Sequence, residues 1–254
     1  MEADCTLEVF AKTDRGRLRP VNEDCVYASA AHGLLIVADG MGGHAGGEVA
    51  SGIAVRVAAR VLKDGLPQAP AALPVMARQL LIEACRQADA AIREREAADP
   101  ALAGMGTTIV IAACRGRQVA VAHAGDSRAF LLHGGQLRRL TEDHTLVRRL
   151  VETGAISESA ARLHNLRNVI TRCLGGQEYL DPDVRLVRWE PGDILLLCSD
   201  GLTGMLEDGE IESVLRERGA DLAQCGQELI DLANERGGID NISVALARCL
   251  EESA

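Results

Sequence analysis

The chain has 254 residues, 47% of them hydrophobic and 25% charged, enough to bury a sizeable core in a soluble protein. Lys and Arg number 27 against 37 Asp and Glu, a formal charge of −10 that argues against nucleic acid and anionic membranes as partners. Aromatic residues make up only 2%, so Ala, Val, Leu and Ile must pack the interior. Met1-Glu2-Ala3-Asp4 carries no signal segment, and no run approaches the roughly 18 apolar residues of a spanning helix. The eight cysteines are scattered without a Cys-x-x-Cys pair, which speaks against zinc and against a disulfide framework. A cytoplasmic monomer is the expectation.

In chain order, strands are predicted at about 6–12 and 22–29 around the turn-like Asp14-Arg15-Gly16, then at about 34–38. A helix follows from about 46 to 62 with Ile53, Val57 and Val61 on one face. The Ala/Pro-rich stretch 67–74 is a connector. A long helix over about 74–97 has a narrow seam of Met76, Leu80, Ala84, Ala88 and Ala91. Strands are expected at about 107–114, 118–124, 127–133 and 136–140, several of them apolar at odd and even positions alike, as in strands covered on both faces. Short Gly-containing connections make these antiparallel hairpins. The segment of about 143–176 is polar and helical, an appendage with the character of a flap. Strands at about 184–189 and 193–198, helices at about 208–217 and 220–235, and a strand from Ile242 to Cys249 complete the pattern. The economical architecture is two packed antiparallel sheets with helices on their outer faces.

Four acids stand at strand ends beside Gly or Asn: Asp39-Gly40, Gly125-Asp126, Asp200-Gly201 and Asp240-Asn241. Each alone reads as turn chemistry. Together, at one edge of an aligned sandwich, they raise each other's pKa unless cations hold them. Oxygen ligands without His or Cys favour Mg²⁺ or Mn²⁺ over Zn²⁺. The segment Asp14 to Asp24 adds Arg15, Arg17 and Arg19, and an arginine fork beside such a site suits a phosphate ester. Gly40-Met41-Gly42-Gly43-His44-Ala45 also fits a relaxed dinucleotide-binding fingerprint. That alternative needs a second strand after the helix, where the sequence has a connector and another helix, and it sets Asp39 against a pyrophosphate.

Several motifs in order resemble the type 2C metal-dependent protein phosphatases, in their bacterial branch. They are Arg19-x-x-Asn22-Glu23-Asp24, Val37 through Gly43, Gly106-Thr107-Thr108, Ala124 through Arg128, Leu140-Thr141-x-Asp143-His144, Thr171-Arg172-x-Leu174-Gly175, Pro191 through Leu202, and Asp240-Asn241-Ile242-Ser243. The resemblance implies an α+β fold, a four-layer α-β-β-α sandwich, as one catalytic domain over residues 1–254 with a flap at about 143–176. It implies hydrolysis of phosphoserine and phosphothreonine in proteins, the substrates of a serine/threonine kinase, by water activated at a Mn²⁺ or Mg²⁺ pair. By that resemblance Asp39 bridges two metals, with the Gly40 carbonyl as a further ligand. Asp200 and Asp240 complete the ligands of the first metal, and Glu23 holds the second, directly or through water, with Asp24 close behind. Asp126 matches the acid for a third metal, sharing Asp200, and Arg19 matches the phosphate-gripping arginine.

One position departs from the pattern. Many eukaryotic members carry His, a candidate general acid, directly after the Asp-Gly pair. Here Met41 stands there, with His44 three residues on, so the proton donor is open among His44 and water. The competing reading is a catalytically inactive phosphoprotein-binding module on the same fold, although Asp39, Asp200 and Asp240 are all present.

Overall fold

Along the strand Leu34–Met41, Leu34, Ile36 and Ala38 face one side, Leu35 and Val37 face the other, and all five are fully buried. That double burial sets the architecture, which is seen in a computed structural model describing residues 6–42, 46–67, 69–162, 164–176 and 180–251. The chain runs β1 (Thr6–Asp14), β2 (Asp24–Ser29), β3 (Leu34–Met41), α1 (Gly46–Gly65) and α2 (Leu73–Ala98). It continues through β4 (Gly106–Thr107), β5 (Ile109–Arg115), β6 (Gln118–Ala124), β7 (Arg128–His133) and β8 (Gln136–Arg139). After α3 (Leu146–Glu152) and α4 (Glu158–Arg162) come β9 (Asp183–Arg188), β10 (Ile194–Cys198), α5 (Asp200–Thr203), α6 (Asp208–Arg218), α7 (Leu222–Glu235) and β11 (Ile242–Leu250).

One sheet has the order β1-β11-β10-β7-β8, the other β2-β3-β5-β6-β9 with β4 paired to β3, and the pairings within them are antiparallel. The period of two sorts the side chains into three apolar layers. Leu35, Val37, Val110 and Val121 meet Leu131, Leu195, Leu197 and Ala245 between the sheets. Leu34, Ile36, Ile109 and Ile111 pack under α1 and α2. Phe130, Leu196, Val244 and Leu246 pack under α6 and α7. This is the expected α-β-β-α sandwich of two antiparallel sheets flanked by helices. Among the described residues no parallel strand follows α1, which removes the dinucleotide alternative.

The helix faces differ in part from expectation, with Ala84 and Ala88 of the expected α2 seam buried as predicted. In α1 the fully buried stripe is Ala50, Ala54, Ala58 and Leu62, while Ile53, Val57 and Val61 are half-buried beside it. In α2 the buried face is Leu73, Ala77, Leu81, Ala84, Ala88 and Ile92, and Met76 is 42% exposed. Both helices present alanines to their neighbours, and small residues permit the closest approach. Among the described cysteines six are free, and Cys249 is disulfide-bonded, an exception to the thiols expected from the sequence. The segment after β8 carries α3 and α4 and is pinned at its base by the Thr145–Ile170 and Thr107–Leu174 bridges. No helix among the described residues is long and apolar enough to cross a membrane.

Candidate metal centre

Antiparallel pairing brings the start of β2, the end of β3, the end of β6, the end of β10 and the start of β11 to one edge of the sandwich. Glu23 and Asp24, Asp39 and Gly40, Asp126, Asp200 and Asp240 occupy those ends. Strand parity sets the direction. Asp39 shares its face with Leu35 and Val37, and Asp24 shares its face with Val26 and Ala28, so both look into the space between the sheets.

Backbone and hydroxyl contacts fix these acids. The Asp39 N–H donates to Thr108 Oγ1 at 3.1 Å, and its carbonyl accepts from Thr108 N–H and Thr107 Oγ1, each at 2.9 Å. Gly40 N–H donates to the Glu23 carbonyl at 3.2 Å, which also accepts from Ser51 Oγ at 2.6 Å. A Cβ on Gly40 would lie 2.1 Å from the Gly47 carbonyl oxygen, so the end of β3 and the head of α1 touch through glycine alone. The Gly47 backbone in the first turn of α1, where the helix end favours a carboxylate, offsets part of the rise that burial imposes on Glu23. Asp24 Oδ2 accepts from Ser199 Oγ at 2.8 Å and Ser243 Oγ at 2.6 Å, two hydroxyls of the opposite sheet. Asn241 Oδ1 accepts the Glu23 N–H at 2.8 Å.

Burial first, and then the neighbouring acids, push these carboxyl groups up. Asp24 and Asp126 each rise to about 7, and Asp39 rises well above the usual carboxylate range with Asp24, Asp200, Asp126 and Asp240 all contributing. Asp200 and Glu23 are raised for the same leading reason. Glu23 Oε1, Asp24 Oδ1 and Asp200 Oδ1 are buried without a hydrogen-bond partner. Orphaned oxygens among mutually repelling acids are the signature of a site completed by cations, and an all-oxygen set suits Mg²⁺ or Mn²⁺. The donor set therefore fits a divalent metal cluster.

Arg19 sits at the rim, 47% exposed, and its Nη2 donates to Asp240 Oδ2 at 2.6 Å. Asp126 and Asp200 open onto a groove of about 420 Å³ lined also by Arg128, Asp143, Arg167 and Asp208. A larger cavity of about 730 Å³ lies around His144 and Asp183 and contains none of the candidate ligands. His44 lies outside the described residues.

Other residues emerge only in three dimensions. His123, His144 and Asp183 bring three potential ligand atoms within 4.8 Å of one another, although no spacing in the sequence links them. Arg172 Nη1 already stands 3.1 Å from His144 Nε2 and 3.0 Å from Asp183 Oδ1, so a cation of the chain's own fills that position. His144 instead clamps the turn before Asp126: its N–H donates to the Gly125 carbonyl at 2.9 Å, and its Nδ1 accepts the Gly125 N–H at 3.2 Å. Ser199, Ser243 and Asn241 belong to the quoted motifs, but their service to Asp24 and Glu23 needs the opposed sheets to be seen.

The protein phosphatase 2C family model matches residues 20–251. The chain belongs to this family. It is 40% identical over 239 residues to the serine/threonine phosphatase stp of Listeria monocytogenes serovar 1/2a, covering 92% of this chain and 93% of that protein. Among solved structures, Stp1 from Staphylococcus aureus superposes with a TM-score of 0.86 at 32% identity, over 98% of this chain and 97% of that one. The catalytic domain of PstP, solved in complex with two manganese ions, gives a TM-score of 0.85 at 36% identity, over 97% of this chain and 100% of that one.

Proposed function

We infer that this protein phosphatase 2C chain is a metal-dependent serine/threonine phosphatase that hydrolyses phosphoserine and phosphothreonine in phosphorylated proteins. The observation that carries the reading is the convergence of Glu23, Asp24, Asp39, Asp126, Asp200 and Asp240 on one sandwich edge, with three of their oxygens buried and unpaired. Nothing favours the inactive binding module, since the acids it would have lost are in place.

In this reading Asp39, with the Gly40 carbonyl, Glu23, Asp200 and Asp240 hold two Mn²⁺ or Mg²⁺ ions, and Asp126 with Asp200 holds a third. When bound, the ions activate water for in-line attack and neutralise charge on the phosphoryl oxygens. Asp24 braces the centre through Ser199 and Ser243. Arg19 exchanges its exposed pairing with Asp240 for the substrate phosphate, an exchange that costs little because such pairs contribute little in water. The segment at 143–176 stands as the flap beside the groove. A serine/threonine kinase supplies the substrates, and the phosphatase works as a cytoplasmic monomer.

Turnover of p-nitrophenyl phosphate and of a phosphothreonine peptide, with Mn²⁺ and with chelator, tests the reading. Activity is expected only with the metal, and Asp39→Asn should abolish it. Metal-independent turnover, or none under any condition, would overturn it.

A further inference from the structure

The loop from Arg15 to Val21 is held as one rigid piece. Asn241 Nδ2 donates to the carbonyls of Arg15 at 2.9 Å and Val21 at 3.0 Å, clamping both ends. Arg17 N–H and Leu18 N–H donate to the Gly238 carbonyl at 2.7 and 3.3 Å. Gly16 has φ +76°, and a Cβ there would lie 2.2 Å from the Asp240 carbonyl oxygen, so only glycine lets the turn seat this closely on residues 238–240.

This clamped loop does not use its order to hide its apolar side chains. Leu18 is 68% exposed and Val21 44% exposed, and Ile239 on the supporting turn is 53% exposed. Leu18 and Val21 lie within two residues of Arg19, and Ile239 directly precedes Asp240, its partner at the rim. Arg15, whose Nη1 meets only the Pro20 carbonyl at 3.3 Å, and Arg17 have no acidic partner among the described residues, in a chain of net charge −10. Apolar and cationic groups on a rigid scaffold beside a reaction centre are the makings of a peptide-binding surface.

We propose that Leu18, Val21 and Ile239, with Arg15 and Arg17, form a docking ledge for the polypeptide around the phosphorylated residue, taking an apolar side chain next to it and an acidic one further along. The proposal rests on the phosphatase reading. The occupant is a peptide because the ledge is continuous with Arg19, and it is acidic because the unpaired charges are arginines.

The test compares phosphothreonine peptides that differ only in having Leu or Ser beside the phosphoresidue and Glu or Lys further out, with p-nitrophenyl phosphate as the small substrate. Wild type should prefer the Leu/Glu peptide over the Ser/Lys peptide in kcat/KM by about fivefold or more. The Leu18→Ser/Ile239→Ser double variant should lose the Leu preference, and Arg15→Gln/Arg17→Gln the Glu preference, with p-nitrophenyl phosphate turnover within about twofold of wild type throughout. A wild type indifferent to the flanks, or variants that keep the preferences, overturns the proposal. Dimerisation of wild type that the double variant abolishes also overturns it, in favour of a second copy on the ledge. Absent turnover of the small substrate sinks the phosphatase reading instead, and calorimetric binding of the same peptides then decides the ledge by itself.

Discussion

Asp24 lies directly opposite Asp39 on the neighbouring strand, the two acids forming one cross-strand pair at the edge of the sheet. Like charges in that relationship repel, and here burial adds to the repulsion.

The pair makes metal binding a proton-exchange reaction. Asp24 and Asp126 are pushed to about 7, so below that pH the metal-free site holds protons that a cation must displace. Mn²⁺ titrated calorimetrically at pH 6 in buffers of different ionisation enthalpy should release more protons than at pH 8.5, because Asp24 and Asp126 have lost theirs by then. The sign for stability follows. A carboxyl raised above its unfolded value stabilises the metal-free fold fully below about pH 4, and that contribution is lost as pH rises through about 7. The rise in Tm on adding Mn²⁺ should therefore grow between pH 5 and 8. A proton count that does not change with pH would remove the linkage.

Arg19 and Asp240 make a rim contact that is half exposed, so its removal should hardly touch stability, by about 0–1 kcal/mol. In the phosphate-binding role proposed for Arg19, its effect falls on the substrate. Arg19→Ala should raise KM for a phosphopeptide by about tenfold or more, with a smaller change in kcat. An unchanged KM would take Arg19 out of phosphate binding.

Gly47 is a test of close approach. A Cβ there would lie 2.6 Å from Glu23 Oε1 and 2.9 Å from the Gly40 carbonyl carbon. Gly47→Ala should push α1 away from the end of β3, costing about 1–3 kcal/mol in denaturant unfolding and weakening Mn²⁺ binding. If both measurements match wild type, the contact of α1 with the acid cluster is not what shapes Glu23.

The acids were legible because each ends or opens a strand whose apolar pattern is unmistakable, as Leu34 to Ala38 shows before Asp39. The period of two then fixes which way Asp39 and Asp24 look. The helix faces were less legible. In α2 two adjoining stripes are apolar and share Ala84 and Ala88; the buried one runs through Leu73, Ala77 and Leu81, while Met76 is exposed and Leu80 packs at its edge. Least legible were contacts between distant segments, such as Ser243 with Asp24 and His144 with Gly125, because nothing local to either partner demands them.

His144 gives the opposite pH sign from the acids. Burial, then the stacked His123 ring and the nearby Arg172, push it down to about 4, so the fold holds the neutral imidazole whose Nδ1 accepts the Gly125 N–H. A histidine depressed below its unfolded value contributes stability fully above about pH 6.5 and loses it as pH falls through about 4. His144→Asn places an amide oxygen where it can accept the same N–H but cannot titrate. Wild type should thus lose up to about 3 kcal/mol relative to this variant between pH 7 and 4. His144→Leu leaves the Gly125 N–H unpaired and should cost about 1–3 kcal/mol at neutral pH, with weaker binding at the ion site proposed for Asp126. Chemical denaturation of the three proteins across that pH range, with Mn²⁺ titration at pH 7.5, separates the two effects. A difference between wild type and the Asn variant that stays flat with pH would show that His144 takes up its proton equally in the folded and unfolded chain, so that the Gly125 contact does not hold the imidazole neutral.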